Sequence, residues 1–448
     1  MESGGSERSM NSSCRLRATG KRIPRASILL LSAATVLVSG CGEEAAAGRQ
    51  IAESDSALRV MAESLLPEIE TLAGLPARRP LALAVRTREE LESFLTMELG
   101  RQLPPEKAGA LTRTYARFGL VPADLELDEL LRSLLLEQVV GYYDTGKDTL
   151  FVMEGLDPAL VEPVLAHEMV HALQDQYENL DSLMTANLDH NDRATAAQSA
   201  LEGHATLAML EWQLGRLTGG AVDLDALPSL SSLPEDALLD AAGLEMPALA
   251  SAPRLIRESL IFPYLGGLEF VRARYRAAAG SRVAPLGNGM PVSTEQVLHP
   301  ERAFGEPRDE PVGIEFASAP PAGWNIVHSD GLGEFETRIW LQEHLGDRDR
   351  AASGAAGWDG DSYRLLDGPQ GEVLVWISAW DSETDAAEFE RAAGEAQEAR
   401  YAGGSDRVTD VVRSEQSGVP LVVLVDRPSG LEAATVEVLL AFSVSAVQ

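Results

Sequence analysis

The sequence predicts an α+β fold in two parts, a largely helical N-terminal body containing a β-hairpin and a small C-terminal α/β sandwich. Three observations predict it: apolar residues at helical spacing through most of residues 57–304, two β-rich runs around the turn "DTGKD", and a tail that alternates helix and strand patterns after a Pro-rich stretch. A chain of 448 residues with 45% hydrophobic and 24% charged residues can bury two cores and is too apolar for large-scale disorder.

Residues 1–40 stand apart from the rest. Arg15, Arg17, Lys21, Arg22 and Arg25 precede the apolar run "ASILLLSAATVLV", which is too short to span a bilayer and reads as an export signal. The run ends in "VSGC", small residues directly before Cys41, which resembles the lipobox of bacterial lipoproteins and predicts a lipid on Cys41. The plainer alternative is a signal peptide cut nearby, with Cys41 incidental. Cys14 would leave with the signal, so the mature chain would have no internal disulfide. Residues 41–56 are small and polar, as in a short tether. The expected location is therefore the cell envelope, facing the periplasm or exterior. In a two-membrane host the outer membrane is expected, because Gly42 rather than aspartate follows Cys41.

Charge excludes some partners. The whole chain carries −32 and the first forty residues carry +4, which leaves −36 on the remainder. That excess repels nucleic acid and anionic lipid headgroups, so neither is an expected partner, and only the N-terminal lipid would hold the protein to a membrane.

Elements follow in order. "ALRVMAESLLPEIETLAG" has helical spacing, "LALAV" (81–85) is a short buried strand, and "REELESFLTMEL" is helical again. "LELDELLRSLLLEQVV" continues as helix into "GYYDTGKDTLFVM", the hairpin. A helix then opens at Pro158 after Asp157, or at Pro163, and runs to about Tyr177. A second long helix is expected over Ala194–Leu217, capped by Asn191 or Asp192. "TGGAVDLDALPSLSSLPEDA" reads as a surface excursion, "APRLIRESLIFPYLGGLEFVRARYRAAA" as helix, and Ser293 and Gln296 have capping-box spacing. Residues 305–329 are Pro-rich and read as a linker. The tail, 330–448, offers helix "GEFETRIWLQEHL", strands "SYRLL" and "EVLVWISAW", helix "SETDAAEFERAAGEAQEARY" and strand "VPLVVLVD".

The chemistry concentrates in "LAHEMVHALQDQ", residues 165–176. On a helix His167 and His171 project from one face about 6 Å apart along the axis and can ligate one cation. Glu168 lies beside that position, where it can take a proton from a metal-bound water. With seven histidines in the chain, a chance HExxH arises only on the order of 0.01 times. Catalytic zinc needs a third protein ligand, for which "ALEGHATLAML" supplies two candidates. Glu202 is favoured, because His204 points roughly the opposite way on a helix and fits a buried hydrogen-bonded role.

These motifs resemble the gluzincin zinc metallopeptidases, the peptidase-MA-like branch in particular. Together "EQVVGYYDTGKDTLFV", "HEMVHALQDQ", "ALEGHAT", "FPYLGG", "STEQVLHPE" and "GWDGD" resemble a family of bacterial lipoproteins and secreted proteins, over most of residues 56–400. The resemblance implies a zincin-like metallopeptidase domain over 57–304, with a short antiparallel sheet beside the HEMVH helix. It implies Zn2+ as cofactor, His167, His171 and Glu202 as ligands, and Glu168 as base. That family more often has "EGDA", so His204 departs from its pattern.

Other residues carry two readings each. Asp175 could orient a ligand imidazole or be an ordinary polar helix position. Tyr143, or Tyr142, could stabilise the oxyanion of a tetrahedral intermediate or pack inward. His299 could do the same across the cleft, or cap a helix end before Pro300. Asp359 and Asp361 in "GWDGD" suggest calcium but lack the other ligands of a known loop, so a turn with a packed tryptophan is favoured; Trp376 and Trp380 read as core. The expected function is a lipid-anchored zinc metallopeptidase, an endopeptidase acting on peptides or proteins outside the cytoplasm. The alternative is an envelope lipoprotein with a structural zinc site, closed by a fourth ligand such as His204, and a partner-binding C-terminal domain.

Overall fold

A computed structural model describes residues 56–445 apart from 188, 230–245, 317–318, 433–434, 436 and 438. The signal segment, Cys41 and the tether lie outside the described residues, apart from Ser56. The fold is α+β, with fourteen helices and three sheets among the described residues. None of these helices is long and apolar enough to cross a membrane.

In the N-terminal body, α1 (Ser56–Ala73) leads to strand β1 (Ala82–Arg86) and then to α2 (Arg88–Gln102). Helix α2 opens on a capping box, in which Thr87 accepts from the Glu90 N–H and Glu90 accepts from the Thr87 N–H. Helices α3 (Pro105–Phe118) and α4 (Leu127–Gln138) precede β2 (Gly141–Asp144) and β3 (Thr149–Met153), which form the expected hairpin. The sheet as a whole is mixed, not purely antiparallel: its order is β1-β3-β2, with β1 parallel to β3. Strand β2 is thus an edge, and it faces the next helix.

That helix, α5 (Pro158–Tyr177), starts where proline is tolerated, with Asp157 accepting from the Ala159 N–H at 2.9 Å. Every residue from Pro163 to Gln174 is buried, the histidines included. After α6 (Leu180–Asn187) comes α7 (Asn191–Thr218), buried without interruption from Ser199 to Trp212. Its cap position is His190, and Asp192 is spent elsewhere, accepting from the Thr294 N–H at 3.0 Å. Helix α7 runs against α9 (Arg254–Ala277), which follows the short α8 (Pro247–Ser251). The crossing is backbone to backbone: a Cβ on Gly203 would lie 1.9 Å from the Gly267 carbonyl carbon, and one on Gly267 would lie 1.8 Å from the Ser199 oxygen. Leu65, Ile69, Leu150, Met169, Leu173, Met209 and Trp212 form the core joining α1, the sheet, α5 and α7.

Two short helices, α10 (Thr294–Leu298) and α11 (Pro300–Phe304), end the helical body. The stretch expected as linker contributes two strands, β4 (Gly313–Phe316) and β5 (Asn325–Asp330). Strand β5 is the edge of a five-stranded antiparallel sheet, order β5-β6-β7-β9-β8, with β6 (Trp358–Gly368), β7 (Gly371–Trp380), β8 (Arg407–Gln416) and β9 (Val419–Pro428). Helices α12 (Gly333–Leu345), α13 (Arg348–Ala355) and α14 (Glu383–Arg400) accompany it, and Trp340, Trp376, Trp380 and Phe389 pack in one cluster with the sheet. A second cluster joins Ile314, Trp324, Val373 and Val375 to the pair β4–β10 (Phe442–Ser445). Asp361 accepts from the N–H groups of Leu332 and Gly333 at the start of α12 and from the indoles of Trp358 and Trp376. Asp359 instead lies near Asp309 and Asp381, both of which Arg302 binds.

Candidate metal centre

Helix α5 sets His167 and His171 one turn apart, with ring centroids at 4.8 Å and planes at 70°. Glu202 reaches them from α7. The three facing atoms form a small triangle, with His167 Nε2 to His171 Nε2 at 3.0 Å, His167 Nε2 to Glu202 Oε2 at 3.2 Å, and His171 Nε2 to Glu202 Oε2 at 3.4 Å. A tetrahedral zinc with bonds of about 2.0–2.1 Å has ligand–ligand edges of about 3.3 Å, so the donor set and its spacing fit that ion. Among the described residues this is one of two groupings of His, Cys, Asp or Glu able to hold a metal. The other, Asp309, Asp359 and Asp381, already has a guanidinium in it.

Burial shapes the electrostatics. It works to raise the Glu202 carboxyl, but the two imidazoles outweigh it and hold that group well below the usual carboxylate range. Burial likewise works to lower His171, and the Glu202 charge overrides it and raises the ring, while His167 is lowered by burial. The Glu202 carboxylate therefore stays ionised against the two rings.

Glu168 lies next round the helix. Its carboxylate accepts from the Tyr143 backbone N–H on β2, and its Oε2 has no hydrogen-bond partner despite being buried. Burial, with Glu202 adding to it, pushes this carboxyl up to about 8. Gly141 makes the approach of β2 possible, since a Cβ there would lie 2.4 Å from Val164 Cγ1 and 3.5 Å from Glu168 Cγ.

Around the triangle the roles differ from those expected. Asp175 does not orient an imidazole: it accepts from the Tyr143 hydroxyl at 2.9 Å and pairs with Arg79. Gln174 stands there instead, its Oε1 2.9 Å from His171 Nδ1. The Tyr143 hydroxyl is held between Asp148 and Asp175, and the Tyr142 hydroxyl by Arg86, so neither phenol is presented to the histidines. His299 also lies elsewhere, ending α10 and bonded to Glu334 and Arg338 of α12. His204 is buried where α7 meets α1 and α5, bonded to Gln174 and to the Ala73 carbonyl, and does not belong to the triangle.

The aromatic group that does meet the site is Tyr264 of α9, whose ring centroid lies 6.2 Å from that of His167. Burial and the charges of Glu202 and Glu168 raise its phenol well above the ordinary value, so it stays protonated. It lies in the stretch "FPYLGG", whose glycines are the only hint of a close helix crossing there. Gly267 brings α9 against Gly203 of α7, next to Glu202, and Tyr264 lies one turn before Gly267.

A family model described as a domain of unknown function (DUF8575) matches residues 324–448, which span the five-stranded sheet and its helices. No curated protein and no solved structure matches the chain.

Proposed function

We propose that this protein is a zinc metallopeptidase, anchored through a lipid on Cys41 and hydrolysing peptide bonds in peptides or proteins outside the cytoplasm. The observation that carries the reading is the convergence of His167 Nε2, His171 Nε2 and Glu202 Oε2 beside the unpartnered Oε2 of Glu168. His167, His171 and Glu202 would hold the ion, which when bound supplies a Lewis acid and lowers the pKa of water. Glu168 would take the proton of the attacking water and return it to the leaving amine. Burial raises its proton affinity, which suits holding that proton between the two steps. Tyr264, a protonated donor at the same site, would stabilise the oxyanion formed on the scissile carbonyl.

One observation favours a second reading, a structural zinc site. His167, Glu168, His171 and Glu202 are each at most 2% exposed. Against it stand the count of three ligands, with His204 engaged elsewhere, and the unpartnered base. Incubating wild type and Glu168→Gln with a mixed peptide library separates the two. The proposal predicts cleavage by the zinc-loaded wild type, and a loss of about 10²–10⁴-fold in Glu168→Gln with zinc retained. Two zinc-loaded but inert proteins would leave the structural reading.

A further inference from the structure

We infer that Gln174 and His204 form a hydrogen-bond relay that fixes the proton of His171 on Nδ1, and so aims its Nε2 lone pair at the metal position. The relay rests on the zinc reading of the site but is argued from atoms present in this chain.

Its direction is set at the far end. The Ala73 carbonyl, at the last residue of α1, can only accept, so the His204 Nε2 at 3.0 Å must carry the proton. In the neutral ring His204 Nδ1 is then an acceptor. Gln174 Nε2 lies 3.1 Å from it and 3.1 Å from the Leu201 carbonyl oxygen, so both amide protons of Gln174 have acceptors. Flipping the amide would bring Gln174 Oε1 against that carbonyl and that lone pair, which excludes the flip. Oε1 is thereby left to face His171 Nδ1 at 2.9 Å, and it can only accept. Each bond in the chain from Ala73 to His171 is oriented by the one before it.

Gln174 and His204 are fully buried, so no solvent molecule competes for these bonds. Both are positioning residues, and His204 acts only through Gln174. The arrangement also ties α1, α5 and α7 together at the ligand.

Zinc affinity and histidine tautomers test the relay together. Competition with a chromophoric chelator, on protein shown folded by circular dichroism, should give zinc binding weakened about 10–100-fold in Gln174→Met and in His204→Phe. The double variant should be no weaker than Gln174→Met alone, because the two act in series. A purely structural role would lower the melting temperature of these variants and leave their zinc affinity unchanged, which would overturn the inference. Long-range proton–nitrogen spectra of the metal-free wild type at about pH 8 should show His204 as the neutral Nε2–H tautomer. The Nδ1–H tautomer would also overturn it. If the wild type binds no zinc, the proposed function fails while the spectra still decide the relay, and they decide it equally if the variants do not fold.

Discussion

On the proposed function, Glu168 and Tyr264 are two residues whose roles can be separated from metal binding, because neither belongs to the triangle of His167, His171 and Glu202. Tyr264→Phe removes one hydroxyl from a helix that otherwise keeps its packing. It should lower kcat about 10²-fold with KM and zinc content nearly unchanged, as steady-state kinetics on a cleaved peptide would report. Equal activity in this variant would remove Tyr264 from the reaction. The grouping of His167, His171 and Glu202, with Glu168 beside it, was legible in the sequence, since HExxH and a glutamate on a following helix are local spacing facts. Tyr264 was not, because one tyrosine within an apolar helix looks like any core residue until α9 is placed across α7. Tyr143 and His299 failed for the converse reason: each has a nearer acidic partner, Asp148 and Asp175 for one and Glu334 for the other, that no spacing rule reveals.

At the scale of elements, the crossing of α7 and α9 decides whether the site exists, since it carries Glu202 and Tyr264 toward α5. Gly203→Ala inserts a methyl 1.9 Å from backbone, which cannot move aside as a side chain could. The expected cost is about 3 kcal/mol or more in urea unfolding, together with weaker zinc binding because Glu202 is the preceding residue. A variant of wild-type stability would show that the crossing is looser than described. Most helices and the hairpin were readable from periodicity and caps. The parallel pairing of β1 with β3 was not, because the period of a strand records which face is buried and not which neighbour it takes. Strands β4 and β5 hid in a Pro-rich stretch for a similar reason: edge strands tolerate irregular composition.

Across the whole molecule, the C-terminal sheet meets the helical body over a group of buried carboxylates. Asp192 accepts from Thr294, Asp330 from the N–H groups of Asn191 and Gly331, and Glu336 lies 3.4 Å from the Tyr115 hydroxyl, with Asp361, Glu334, Arg338 and His299 close by. Burial pushes Asp192 up to about 7, Asp330 to about 6 and Glu336 to about 8. Raised acids contribute stability that is complete below the unfolded value of about 4 and is lost as pH rises through the folded values. The melting temperature of metal-free protein should therefore fall between about pH 4 and about pH 8, and Glu336→Gln should flatten that fall. A midpoint that rises over this window would contradict the described interface. Such a cluster is invisible in sequence, where these acids look like part of a solvated charge excess. The most direct test of the central claim is the zinc content of protein purified without added metal, beside Glu202→Gln. A zinc site at His167, His171 and Glu202 requires about one ion per chain in the wild type and little in the variant; a wild type that binds no zinc even when it is supplied would contradict it.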